Sequence, residues 1–522
     1  MTRTAHAAAL LLALGGTARA QGAETYTFRM LLGRDTLTSE VVQRTGARLD
    51  VELVDKTSGA RWQYGLTLAP AGAVPAMTSA FYRLAQGDTV PFQTVEIAFA
   101  GDSVTATIGG NVARVERLAT SAGALPYINP SFAMIEQVIR RARAMGGGTD
   151  TVPLFMLAGG RTIPAVVERV GGDSVVVRIG PSAIRAAVGA DGALLGATIP
   201  AQGVHVVRLE GAHPLASRPI DYGAPPGAPY TAQDVTVHTP DGLTLTGTLT
   251  LPAARAGRVP AVVTITGSGA EDRDERISIV EGYRPFWQIA DTLARRGIAT
   301  LRLDDRGVNG SSAGPAGATS ADFANDVRAA LAYLRTRPEI DGARLGLVGH
   351  SEGGMIAPMV AATDSALRGI VLLAGPAYTG RRIVAFQQRN GVAHAPGLTA
   401  AQRKSALAEA EAATDSMART NGWMRYFLSY DPLPTARRVR VPVLIVQGET
   451  DQQVTPEQAD TLAAAFRAGG NRDVTVRKFP ATDHLFLADS VGDPAGYGAL
   501  RTRSVRPAVL GAIADWLAAR LR

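Results

Sequence analysis

The sequence predicts an α/β protein in which a mostly parallel sheet, covered by helices on both faces and carrying a helical cap insertion, follows a β-rich N-terminal domain. Two patterns and the break between them lead there. As far as residue 222, apolar residues alternate with polar or small ones, as on half-buried strands. From residue 230, short and nearly continuous apolar strands alternate with helical stretches, the mark of a parallel sheet buried on both sides. Between them, Gly223-Ala224-Pro225-Pro226-Gly227-Ala228-Pro229 interrupts both periodicities and reads as a linker, 223–229.

Composition narrows the function classes. The chain has 522 residues, 46% hydrophobic and 19% charged, with 57 scattered glycines, so neither a disordered nor a fibrous protein fits. It contains no cysteine, which excludes disulfides, thiolate metal sites, a cysteine nucleophile and a lipid-modified cysteine. The balance of 53 basic against 46 acidic residues gives +7. Only Lys56, Lys404 and Lys478 are lysine and the arginines are dispersed, so no nucleic-acid partner is expected.

Taken in order, residues 1–20 read as a secretory signal peptide. One arginine precedes the short apolar run 7–13, and Thr17-Ala18-Arg19-Ala20 places small residues where a cleavage site needs them. Cleavage near Ala20 would start the mature chain at Gln21, exported to the periplasm or beyond. No later segment is long and apolar enough to span a bilayer.

Residues 21–222 follow as the β-rich domain. Trp62, Tyr64, Leu66 and Leu68 alternate with polar or small residues, as do Val95, Ile97 and Phe99. Gly101-Asp102-Ser103-Val104 and Gly172-Asp173-Ser174-Val175 are hairpin signals, since glycine and aspartate tolerate the positive φ of tight turns. A helix is expected over 131–145, closed by Gly146-Gly147-Gly148. No catalytic constellation shows in this half, and His205 and His213 read as packed or solvent-facing.

The domain 230–522 opens with a hairpin around Pro240-Asp241-Gly242. Strands are expected at 261–266, 298–303, 345–349, 369–374, 443–447 and 474–479, with helices at 285–295, 321–335, 352–362 and 456–467 and a final amphipathic helix carrying Val509, Ile513, Trp516 and Leu517. The interval 378–440 holds a helical run, 404–419, and the aromatics Trp423, Tyr426, Phe427 and Tyr430; it is expected to form a cap over the carboxyl ends of the strands. Those aromatics are as well suited to the cap's own core as to substrate contact.

The chemistry centres on Gly349-His350-Ser351-Glu352-Gly353. The apolar strand 345–348 runs into it and 354–357 continues as helix, the strand–turn–helix setting of a nucleophile elbow, with Ser351 as the nucleophile. A serine hydroxyl needs a base, and the base an orienting acid. With the order Ser, acid, His, the acid is Asp451, in Gly448-Glu449-Thr450-Asp451, with Glu449 as its competitor; the base is His484. Among the other histidines, His350 is expected beside the serine and turned away. The oxyanion of acyl transfer needs two N–H donors, expected from Ser268, in Gly267-Ser268-Gly269, and from Glu352. Asp304-Asp305-Arg306 reads as an arginine–carboxylate pair pinning the loop after its strand, or alternatively as a substrate-facing charge.

Residues 230–522 resemble bacterial α/β-hydrolase esterases of the EstD type, often grouped with serine aminopeptidase-like and prolyl-oligopeptidase-like hydrolases. The resemblance rests on Gly267-Ser268-Gly269 with Asp272-Arg273-Asp274-Glu275, on Leu303-Asp304-Asp305-Arg306-Gly307 with Ser311, on Gly349-His350-Ser351-Glu352-Gly353-Gly354, on Tyr426-Phe427-Leu428-Ser429-Tyr430-Asp431-Pro432, and on Gly448-Glu449-Thr450-Asp451 with Asp483-His484. It implies a carboxylic ester hydrolase with Ser351, Asp451 and His484 as its triad, and an N-terminal accessory domain in some members. Dienelactone hydrolases, similar in fold, use a cysteine that this chain lacks.

The expected activity is therefore hydrolysis of a small-molecule ester through an acyl-enzyme, with no metal or organic cofactor. A serine peptidase or aminopeptidase is the alternative; Glu271, Asp272, Asp274 or Glu275 would then anchor a substrate ammonium. A second alternative makes the N-terminal domain a binding module beside an inactive hydrolase half.

Overall fold

The computed structural model describes residues 23–521, except 33–34, 57–58, 84–89, 111–112, 181, 216–219, 254–256, 278–279, 281, 316 and 395–398. The expected signal peptide, its cleavage point and His6 lie outside the described residues.

The N-terminal half is one 15-stranded sheet built from two runs of strands. The first comprises β1 (Glu24–Leu32), β2 (Asp35–Thr45), β3 (Arg48–Asp55), β4 (Ala60–Ala69), β5 (Ala73–Arg83), β6 (Gln93–Ala100), β7 (Ser103–Gly110) and β8 (Arg114–Ala119). The second comprises β9 (Leu125–Tyr127), β10 (Thr149–Met156), β11 (Arg161–Arg169), β12 (Ser174–Ile179), β13 (Ser182–Val188), β14 (Leu194–Ile199) and β15 (Val204–Glu210). β1 pairs with β15, which joins the runs into the order β8 to β1, then β15 to β9. Both Gly-Asp-Ser-Val signals lie at antiparallel hairpins, β6–β7 and β11–β12.

The helix α1 (Phe132–Met145) packs against β2, β9, β10, β11 and β14, strands drawn from both runs, so the sheet curls around it. Its N-terminus explains a carboxylate that sequence periodicity could not. Glu40, in β2, is buried and accepts hydrogen bonds from Tyr64, from Ser131 Oγ (2.6 Å) and from the Phe132 and Ala133 N–H groups (2.7 and 2.9 Å). The first amides of a helix have no intrahelical acceptor and carry partial positive charge, so a carboxylate there satisfies donors that would otherwise be buried unpaired.

The second half holds an eight-stranded sheet in the order β16-β17-β19-β18-β20-β21-β22-β23. The strands are β16 (Tyr230–His238), β17 (Thr244–Pro252), β18 (Val259–Ile265), β19 (Ala299–Leu303), β20 (Ile340–His350), β21 (Gly369–Leu373), β22 (Val443–Gly448) and β23 (Val474–Phe479). β16 and β17 are antiparallel additions to an otherwise parallel sheet. Successive residues of the central strands enter opposite apolar layers. Val263, Leu347, Ile370 and Ile445 face α3 (Ser320–Thr336), α4 (Glu352–Ala361) and α9 (Glu457–Ala468), whereas Val262, Val348, Val371 and Leu444 face α2 (Pro285–Ala294) and α10 (Pro507–Arg520). That two-sided burial is why these strands read as unbroken apolar runs.

Between β21 and β22 the chain forms α5 (Gly380–His394), α6 (Ala400–Thr420), α7 (Gly422–Ser429) and α8 (Pro432–Ala436). The run expected at 404–419 belongs to the longer α6, which Thr399 caps through a reciprocal bond with Gln402. β20 begins five residues before its expected start, because Ile340 already pairs with Val259 of β18, across an irregularity that precedes the regular register from Leu345.

Chain order places two loops side by side. β18 leads through α2 to β19 on one flank, and the next strand, β20, returns to the other flank of β18. The loops following β18 and β20 therefore diverge from adjacent strand ends, the arrangement in which open α/β sheets form their ligand crevice.

Replacing Glu40 by alanine leaves its donors unpaired at the base of α1 and should lower the unfolding free energy by about 3 kcal/mol. Denaturant unfolding followed by Trp62 fluorescence measures this, and a loss below about 1 kcal/mol would contradict the assigned role.

Candidate active site

The nucleophile elbow forms where β20 passes into α4. Ser351 has φ 52° and ψ −117°, a strained conformation for a residue with a Cβ. Its N–H donates to Leu373 O (2.8 Å) and its carbonyl accepts from Gly354 N–H (2.9 Å), which fixes the turn. The flanking glycines answer to close approach. A Cβ on Gly349 would fall 2.1 Å from Gly353 O, and one on Gly353 would fall 2.1 Å from Ile265 O.

His484 lies in the loop after β23. Its Nδ1–H donates to Asp451 Oδ2 at 2.8 Å, which leaves Nε2 as the nitrogen available for proton transfer. Asp451, in the loop after β22, is itself held by four donors. Oδ2 also accepts from Gln447 Nε2 (2.9 Å), and Oδ1 accepts from the Gln453 and Val454 N–H groups (2.8 and 2.9 Å). Glu449, the competitor in the sequence, is exposed, whereas Asp451 and His484 are buried. The His484 loop is anchored at its carbonyl by His350 Nε2 (2.9 Å) and at Leu485 O by the Tyr283 hydroxyl (2.6 Å).

Ser351, His484, Ser268 and Glu352 all line one pocket of about 350 Å³. The cap supplies Ile383, Val384 and Gln387 from α5 and Trp423, Met424 and Phe427 from α7. Ser268 follows β18 on a loop so close to the elbow that a Cβ on Gly267 would stand 3.4 Å from Ser351 Cβ. Glu352 is the first residue of α4, where amides point out of the helix without an intrahelical acceptor.

His350 corrects the expectation that it turns away from the site. It lines the pocket, and its ring lies 4.8 Å from that of His484. Nδ1 bonds Glu275 Oε1 (2.8 Å), and the same oxygen accepts Gly267 N–H (2.7 Å). Burial disfavours the charged imidazole, but Glu275 outweighs it and shifts His350 upward. The loops carrying Ser268 and His484 are thus tied through one Glu–His pair. Glu275 lies 75 residues before His350, so the local sequence pattern carries no sign of this link.

The paired reading of Asp304-Asp305-Arg306 also needs correction. Asp304 pairs with Arg273 (2.5 Å), and Arg306 makes a two-point contact with Asp326 on α3 (2.6 and 2.7 Å). The loop is pinned twice, by partners outside it. Asp305 accepts from Thr266 Oγ1 (2.8 Å) and Glu271 N–H (3.0 Å), and burial pushes its carboxyl up to about 8.

Fold and site together define the C-terminal half as an α/β-hydrolase domain. Residues 279–490 match the family model described as serine aminopeptidase, S33. The chain is 25% identical over 300 residues to esterase EstD of Thermotoga maritima, covering 55% of this chain and 68% of that protein. It is 26% identical over 260 residues to the uncharacterized peptidase YuxL of Bacillus subtilis, spanning 35% of that protein. Among solved structures, the esterase Pf2001 of Pyrococcus furiosus aligns with a TM-score of 0.41 and 16% identity, over 58% of this chain and 97% of that one. In sequence the domain is thus similar to hydrolases of the esterase and serine aminopeptidase type. Among the described residues, no helix is long and apolar enough to cross a membrane.

Two predictions follow from this geometry. Gly353→Ala would drive a methyl group into the strand before the oxyanion loop; a displacement of about 1 Å there should cost about 100-fold in kcat/KM in assays of the folded variant. Asp305, with its proton held more tightly in the folded state, contributes most to stability below its ordinary value of 3.8, and the contribution is lost as pH rises to about 8. The Tm of Asp305→Asn should therefore fall less steeply than wild type between about pH 5 and about pH 8; parallel curves would show that Asp305 does not titrate this way.

Proposed function

We propose that this protein is a serine carboxylic-ester hydrolase working through an acyl-enzyme. The observation that carries the reading is the 2.8 Å bond from His484 Nδ1–H to the four-donor carboxylate of Asp451, opposite a serine held at φ 52° in the same pocket. Ser351 Oγ attacks the ester carbonyl while His484 Nε2 takes its proton; the tetrahedral intermediate collapses as the imidazolium protonates the departing alcohol. Water, deprotonated by the same nitrogen, then releases the acid. Asp451 keeps the imidazole in the required tautomer and stabilises its charged form. The N–H groups of Ser268 and Glu352 receive the negative charge on the carbonyl oxygen, a contribution of about 3 kcal/mol per donor in such sites.

Charge around the pocket supports an ester over a peptide with a free amino terminus. Asp272 is held by Tyr222 (3.2 Å) and Arg276 (3.4 Å), and Asp274 by Arg284 and Arg302. Glu275 is taken up by Gly267 N–H and His350. Glu271, half-buried beside Glu275 and Asp305, has a carboxyl pushed well above its usual range, first by burial and then by those neighbours, which favours its neutral form. Three of the four carboxyls considered as an ammonium anchor are thus paired, and the fourth, Glu271, is shifted toward its neutral form. Export, with the N-terminal domain riding outside the cytoplasm, belongs to the same proposal and rests on residues 1–20.

Ser351→Ala should abolish hydrolysis of a p-nitrophenyl acyl ester while leaving the protein folded, and surviving turnover would refute the site. Wild-type protein should cleave that ester far faster than an amino-acid p-nitroanilide. Amide turnover with negligible ester turnover would establish the peptidase instead.

A further inference from the structure

Glu352 sits at an unfavourable place for a carboxylate. It directly follows the nucleophile, is 1% exposed, and its own N–H is a proposed donor to the oxyanion. Negative charge near a developing oxyanion opposes the reaction, and burying it without a cation costs several kcal/mol unless hydrogen bonds compensate. The compensating donors are all neutral, and each comes from a different element. Ser268 Oγ–H, on the oxyanion loop, donates to Oε2 at 2.7 Å. Ser320 Oγ–H, at the start of α3, donates to Oε1 at 2.6 Å. Trp423 Nε1–H, on the cap helix α7, reaches both oxygens at 3.0 and 3.2 Å.

The arrangement has a direction. Ser320 belongs to the rigid α/β core, so it fixes one oxygen. Trp423 belongs to the cap and is braced by a parallel stack on Phe427, with centroids 5.3 Å apart and planes 10° from parallel. Ser268 sits between glycines, on a backbone with little stiffness of its own. Its side chain is thereby fixed by a carboxylate that the cap helps to hold. The two residues proposed to donate N–H groups to the oxyanion are joined to each other through their own side chains.

We propose that Glu352 is a positioning residue that couples the cap to the oxyanion loop, so that a seated Trp423 holds the Ser268 N–H in place beside Ser351. The inference rests on the proposed ester-hydrolase reading of this site. A substrate that draws the cap down would complete the oxyanion hole in the same movement, and a displaced cap would loosen it.

The test is a double-mutant cycle on the full chain with a short-chain p-nitrophenyl ester. Trp423→Phe keeps the ring and its stack but removes the N–H; Ser268→Ala keeps the backbone N–H but removes the hydroxyl. Each should lower kcat about tenfold with KM changed less than about threefold, and the double variant should lose little more than either alone. In a Glu352→Gln background the effect of Trp423→Phe on kcat should shrink to less than about twofold. Losses that multiply in the double variant, or a Trp423→Phe variant that changes KM alone, would overturn the coupling. Thermal unfolding of the single variants reports folding separately; if Ser268→Ala is unfolded the Trp423→Phe and Glu352→Gln pair decides, and if Trp423→Phe is unfolded the Ser268→Ala effect in the Glu352→Gln background, expected to shrink likewise, decides. Wild-type turnover abolished by Ser351→Ala combined with multiplying losses refutes the coupling only; turnover that survives Ser351→Ala refutes the underlying reading.

Discussion

The geometry of the site depends on one backbone constraint, the passage of the chain from β20 into α4 within a single residue. Ser351 absorbs the turn at φ 52°, and Gly349 and Gly353, two positions away on either side, approach other backbone so closely that no side chain fits. Such strain persists only where surrounding structure over-determines it. Here the surroundings are β18, whose Ile265 carbonyl abuts Gly353, and β21, whose Leu373 carbonyl takes the Ser351 N–H. The same contact that makes glycine necessary at 353 also sets the oxyanion loop, the continuation of β18, beside the nucleophile. Elbow and oxyanion loop are two consequences of the pairing of β18 with β20.

Around that junction buried carboxylates meet two kinds of partner. Three away from the pocket meet arginines: Asp304 with Arg273, Asp274 with Arg284 and Arg302, Asp326 with Arg306. Tyr222, just ahead of the linker, enters this cluster. Its ring lies 4.4 Å from the Arg273 guanidinium, and its hydroxyl donates to Asp272 and accepts from Asn309. The chain entering the hydrolase domain is thereby fastened to the region beneath the oxyanion loop. Lining the pocket, by contrast, Glu275 and Glu352 are held by backbone amides, hydroxyls, an indole and an imidazole.

Much of this could be read from local pattern. The parallel strands are legible because burial on both faces leaves unbroken apolar runs, and α1 because Ser131 caps it and Gly146 closes it in the left-handed conformation. The order of Ser351, Asp451 and His484 could be read because each follows a strand that is itself recognisable. The limits are equally specific. The pairing of β1 with β15, across 172 or more residues in every register pair, has no local signature, so two hairpin runs could be recognised but not their union into one curled sheet. Arg306 stands beside two aspartates in sequence yet pairs with Asp326, twenty positions on, because the strand end points its side chain toward α3. His350 was assigned by its neighbours rather than by Glu275, 75 residues away.

The sequence by itself determined the class of architecture and singled out Ser351, Asp451 and His484 as candidates in that order, since periodicity and glycine placement report local backbone conformation directly. It also removed the cysteine branch of the chemistry outright. Only the tertiary structure decided which groups meet: Asp451 rather than Glu449 at His484, Glu275 between the oxyanion loop and His350, and Trp423 at Glu352 across 71 residues. These contacts arise from how layers pack over a sheet, where a side chain's partner is set by register and crossover geometry. The residues adjoining it in the chain carry no record of that choice.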